Sequence, residues 1–111
     1  MEEPEVRKAR TESLFRDVNE HIAVSARRFE SKDAEFVCEC SDPSCTHRVP
    51  ASLDAYEHVR SEGVRFLLAP GHADDEIEQV VERRRRYHVV EKVHGAVAEL
   101  AQRLDPRTEP A

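Results

Sequence analysis

The sequence predicts a small α+β domain: an N-terminal helix, a short antiparallel sheet of three to four strands and two further helices, clamped by one structural zinc. Three observations carry this. Apolar residues recur at helical spacing from Leu14 to Phe29, short β-branched and aromatic runs break up the middle of the chain, and all three cysteines fall between Cys38 and Cys45.

A chain of 111 residues is most simply one domain. Its expected limits are 11–106, with 1–10 a loose N-terminus and 107–111 a loose tail. So short a chain buries only about two-thirds of the surface its unfolded form exposes, so a metal clamp would matter to its stability. The formal net charge of −6 argues against a general nucleic-acid or anionic-membrane binder, which needs a broad basic surface. The charged start lacks the apolar core of a signal peptide, and no run approaches a membrane span. A cytoplasmic location is expected, where clustered cysteines point to metal ligation or a reactive thiol rather than disulfides.

Pro4 suits the first position of a helix. Leu14, Phe15, Val18, Ile22, Ala26 and Phe29 then mark one apolar face that ends near Arg28 to Glu30, with Glu12, Arg16, Glu20 and Arg27 assigned to the outside. Glu35 to Cys40 reads as a short strand. Ser52 is a good N-cap for a helix of about ten residues carrying Leu53, Tyr56 and Val59 and ending by Gly63. Val64 to Ala69 reads as a buried strand, punctuated by Pro70-Gly71. Asp74, Asp75, Glu76 and Glu78 are acidic groups suited to capping a helical turn. Val80 to Arg83 and Tyr87 to Val93 favour a hairpin joined through the arginines, although Ile77, Val80 and Val81 also fit a helix. Ala96, Val97, Leu100, Ala101 and Leu104 make a last helix, stopped by Asp105-Pro106.

The chemistry is concentrated between Phe36 and Val49. In an extended segment Cys38 and Cys40 project to the same side, and Asp42-Pro43-Ser44 can turn the chain to return Cys45. Three thiolates and an imidazole suit a closed tetrahedral zinc, with an iron–sulfur cluster the softer-ligand alternative. Local spacing favours His47 as the fourth ligand; His72, just past Pro-Gly, is the other candidate. His21, His58, His88 and His94 lack cysteine neighbours and read as ordinary histidines, and Glu39 and Asp42 as solvated loop carboxylates.

The run of Phe15-Arg-Asp-Val-Asn-Glu, Phe36 to Thr46, Tyr56-Glu-His-Val-Arg, Arg65 to His72 and Tyr87 to Lys92 resembles a group of short, mostly uncharacterised actinobacterial proteins over about residues 11 to 107. That resemblance implies Cys38, Cys40, Cys45 and His72 as the ligand set, with His47 second, and implies no activity. The Arg83-Arg84-Arg85-Arg86 run departs from the group's pattern. The chain also invites comparison with iron–sulfur proteins of the CDGSH type, but the cysteine and histidine spacings differ.

Four protein ligands would close the metal site, so no catalytic role is expected. The leading functional expectation is a zinc-binding regulatory or interaction module acting through a protein partner. A nucleic-acid-binding regulator using Arg83 to Arg86 is the alternative, and a thiol redox sensor or metal-dependent enzyme the third.

Overall fold

The computed structural model describes residues 3–93 and 95–108. Helix α1 (Pro4–Arg28) leads to strands β1 (Asp33–Val37) and β2 (Arg48–Ser52), helix α2 (Leu53–Arg60), strands β3 (Arg65–Leu68), β4 (Glu78–Arg83) and β5 (His88–Lys92), and helix α3 (Gly95–Arg103). The fold is α+β, as expected, with the strands divided between two antiparallel sheets. One pairs β1 with β2; the other has the order β3-β5-β4. Among the described residues, no helix is long and apolar enough to cross a membrane.

Pro4 stands at the start of α1, so residues 4–10, expected to be loose, are helical, and Ala9 is fully buried. At the other end, Arg107 is held by Glu20 and Glu57 rather than belonging to a free tail, and residues 109–111 lie outside the described residues. Strand β2 was hidden in the sequence by Pro50. It is tolerated because β2 pairs only with β1 and is an edge strand, where a missing N–H costs no ladder bond. Ser52 caps α2 as expected, accepting from the Ala55 N–H at 3.0 Å. The hairpin reading of 78–92 is correct, with Val81 at a bulge between the Val80–Val90 and Glu82–Val89 pairs.

The orientation of α1 departs from the expectation in part: Ile22 packs against the core and Arg27 is exposed, as expected, but much of the rest of the helix is turned round. Leu14 and Phe29 are 63% and 79% exposed, and Val18 faces solvent too, whereas Glu12, Ser13, Arg16 and Asn19 are buried. Glu12, Arg16 and Asn19 are compensated by specific partners, although the buried Ser13 hydroxyl has none among the described residues. Arg16 donates to the Gly63 and Ala101 carbonyls, both at 2.7 Å, and its guanidinium lies 4.4 Å above the Phe66 ring. Glu12 and Glu78 clasp the buried Lys92 ammonium from opposite elements. Burying a polar group is costly only when it is left unpaired, so apolar periodicity alone could not find this face.

The main core joins both sheets. Phe36 and Tyr56 stack with centroids 4.4 Å apart, and Phe66, Leu67, Leu68, Val89 and Val90 fill the other side. Cys38 and Cys40 belong to the same buried cluster. A smaller cluster of Ala9, Ile77 and Val97 packs the beginning of α1 on α3.

Candidate metal centre

The loop 38–47 that joins β1 to β2 leaves the ladder at Val37. The Cys38 N–H then donates to the His47 carbonyl at 3.1 Å and the Glu39 N–H to the Leu67 carbonyl at 2.9 Å, so the loop runs along β3. Asp42 turns the chain as its type predicts. Its side chain accepts from the Ser44 N–H and hydroxyl, and its carbonyl from the Cys45 N–H at 3.1 Å.

A second turn supplies the fourth group. His72 N–H donates to the Ala69 carbonyl at 3.2 Å, and between them Gly71 takes φ of 81°. Proline followed by a residue with positive φ is the chemistry of a type II turn. The turn reverses the end of β3 and aims His72 at the loop.

The ligand atoms of Cys38, Cys40, Cys45 and His72 all lie within 4.8 Å of one another. Cys38 Sγ is 3.6 Å and Cys45 Sγ 3.7 Å from His72 Nδ1. Tetrahedral coordination with bonds of about 2.3 Å to sulfur and about 2.0 Å to nitrogen places S and N about 3.5 Å apart. The four atoms can therefore hold a metal ion. None of the cysteines is in a disulfide.

The surroundings favour the thiolate, the ligating form, at Cys40, whereas burial pushes the Cys45 thiol up. The Ala69 N–H donates to Cys38 Sγ at 3.2 Å. Within the thiol cluster, the hydrogen bond between Cys38 and Cys40 pushes Cys40 down to about 5 and Cys38 up, the latter reinforced by burial.

His72, not His47, completes the group of mutually close ligand atoms. His47 is exposed, with its ring edge-on to that of His72 at 4.4 Å, and its carbonyl rather than its imidazole holds Cys38. His21 contacts the Asp17 carbonyl, His58 faces Glu82 at 3.3 Å, and His88 lies in β5, all outside the cluster. His94 lies outside the described residues.

Glu39 corrects the reading of it as a solvated carboxylate. It is fully buried, and burial lifts its pKa to about 7 against the opposing hydrogen bonds from Asn19 and the Leu67 N–H. Asn19 Nδ2 donates to Glu39 Oε2 at 2.7 Å and to the Val37 carbonyl at 2.8 Å, while its Oδ1 accepts from the Val37 N–H at 2.8 Å. Helix α1 thus fixes the strand that delivers Cys38. It also clips the far side of the loop, because Lys8 meets Asp74 at 2.8 Å and Asp74 accepts from the Ser41 hydroxyl at 3.2 Å.

Asp74 also caps the following turn through the Glu76 N–H at 3.1 Å, as acidic residues there suggest, whereas Glu78 is buried on Lys92. Arg83 to Arg86 close the β4–β5 hairpin, with the Arg84 N–H donating to the Tyr87 carbonyl at 2.9 Å. All four are exposed; Arg84 pairs with Glu82, while Arg83, Arg85 and Arg86 form no ion pair among the described residues. Neither family models, characterised proteins nor solved structures give a match to this chain.

Proposed function

We propose that this chain is a non-enzymatic regulatory or interaction module of the cytoplasm, held in its working shape by one zinc ion on Cys38, Cys40, Cys45 and His72. The observation that carries the reading is the four-atom cluster itself. Three sulfurs and one imidazole nitrogen are a donor set for zinc, and four protein ligands leave no position for a reacting water. The ion would tie the β1–β2 loop to the turn after β3, making it a staple between the two sheets. Work done through a protein partner follows from what the site lacks chemically and from a surface that offers no broad basic track at a net charge of −6.

Elemental analysis of purified protein is expected to give one zinc per chain. Circular dichroism is expected to show extensive loss of structure after a strong chelator, since structural zinc contributes on the order of 10 kcal/mol against a total stability of about 5–15 kcal/mol. An unchanged spectrum in verified metal-free protein defeats the staple, and sulfide with visible charge-transfer absorption identifies an iron–sulfur cluster instead.

A further inference from the structure

The three sulfurs of the metal centre are not equally placed. Cys38 and Cys40 are buried, at 1% and 3% exposure, whereas Cys45 is half-buried. Its neighbours Ser44, Thr46 and His47 are exposed, and it lies in the irregular segment between β1 and β2. Solvent therefore meets the cluster chiefly at Cys45, and susceptibility of a cysteine to oxidation follows its exposure.

The sulfurs also differ in how they are held. Cys38 is anchored three ways: its N–H donates to the His47 carbonyl at 3.1 Å, its Sγ accepts from the Ala69 N–H at 3.2 Å, and Asn19 grips Val37 just before it. Cys40 and Cys45 instead flank the Asp42-Pro43-Ser44 turn, to which Cys45 is tied by its N–H on the Asp42 carbonyl at 3.1 Å. Their Sγ atoms are among the four ligand atoms that lie within 4.8 Å of one another. A small movement of this turn brings the two sulfurs into contact. Cys38 would first have to leave its anchors.

We infer that Cys45 is an oxidation site for hydroperoxides, and that its oxidation joins it to Cys40 and opens the clamp between the two sheets. This rests on the reading of Cys38, Cys40, Cys45 and His72 as a zinc site, and it names the regulation of that site. In the first step the Cys45 sulfur attacks one peroxide oxygen. An S–O bond forms, the O–O bond breaks, and the departing hydroxide takes a proton to become water; the sulfur loses two electrons and the peroxide gains them. The Cys40 sulfur then attacks the Cys45 sulfenic sulfur, an S–S bond forms, the S–O bond breaks, and a second hydroxide leaves as water. Two thiols and one hydrogen peroxide become one disulfide and two waters; where the sulfurs react as thiolates, the two protons come from solvent. Cys38 and His72 remain as donors, too few for a structural zinc, which takes four. The metal's hold on the fold is lost with it, and a dithiol reverses the change by thiol–disulfide exchange.

The test treats full-length zinc-loaded protein with hydrogen peroxide beside a chromophoric zinc indicator. Remaining thiols are then alkylated under denaturing conditions, and the tryptic peptide 33–48, which holds all three cysteines, is sequenced by mass spectrometry. Zinc release is expected in step with the loss of two thiols, with Cys38 alkylated and Cys40 bridged to Cys45; circular dichroism should fall as it does with a chelator, and dithiothreitol should restore zinc binding. Cys40→Ala removes the bridging partner, so Cys45 should be trapped as a sulfenic acid by dimedone. That variant also lacks a metal ligand, and its readout is the labelled residue rather than the metal. Bound zinc and three free thiols, after a peroxide dose that fully oxidises a free cysteine peptide, overturn the proposal. A bridge that includes Cys38, or sulfinic acid on Cys45 without a bridge, does the same. Reduced protein that takes up no zinc defeats the zinc reading instead, and the same peptide map still decides whether Cys45 pairs with Cys40.

Discussion

Replacing Asn19 with Ala tests the burial of polar groups on α1 and the helix's hold on the metal loop together. The side chain makes two hydrogen bonds to the Val37 backbone, each at 2.8 Å, and one to the Glu39 carboxylate at 2.7 Å. Neutral hydrogen bonds contribute about 1 kcal/mol each and one to a charged group about 1.5–3 kcal/mol. Summed over the three bonds, the loss should be about 4 kcal/mol. With a urea m-value of about 1.5 kcal/mol/M, the midpoint of the zinc-loaded protein falls by about 2–3 M. Leu14→Ser, on the opposite and exposed face, should change stability by no more than about 0.5 kcal/mol. A small effect for Asn19→Ala beside a large one for Leu14→Ser would refute the burial of the polar face.

Gly71→Ala should cost about 1–2 kcal/mol, because an L side chain at φ of 81° pays the left-handed penalty although nothing crowds the added Cβ. It should weaken zinc binding in a chelator competition as well, since that turn aims His72. A different signature belongs to Glu12, whose burial, opposed by Lys92, raises its pKa from 4.5 to about 9. Between those values the native state keeps a proton that the unfolded state releases, so this group makes stability fall as pH rises, by at most about 1.4 kcal/mol per pH unit. Urea melts of zinc-saturated protein at pH 6 and 8 should therefore show the wild type losing more stability than Glu12→Gln, and parallel losses would contradict the protonated assignment.

Elements whose signals are local were legible in the sequence. Ser52 before Leu53 is a cap, Pro70-Gly71 is a turn, and the cysteine spacing with Asp42-Pro43-Ser44 between is a loop that folds back on itself. What escaped was decided by contacts between distant residues. Asn19 reads as a surface residue until Val37 and Glu39 are placed beside it; Lys92 and Glu12 are 80 positions apart and show no joint pattern. Two signals were present in hindsight. Glu12, Arg16 and Asn19 recur at helical spacing along one side of α1, and Glu39 lies between two cysteines in a run that reads as a strand. The choice between His47 and His72 followed the same logic, since local spacing favours the nearer residue and only the turn after β3 brings in the farther one.

The most direct test of the staple is therefore a comparison of zinc affinity by chelator competition in the wild type, His72→Ala and His47→Ala, with stoichiometry measured in each. One zinc per wild-type chain, a loss of affinity of at least about a hundredfold for His72→Ala, and less than about tenfold for His47→Ala are expected, because a ligand contributes more than the groups around it, whose removal typically costs 10–100-fold at most. The reverse order would place the fourth ligand inside the loop and contradict a metal that joins the two sheets.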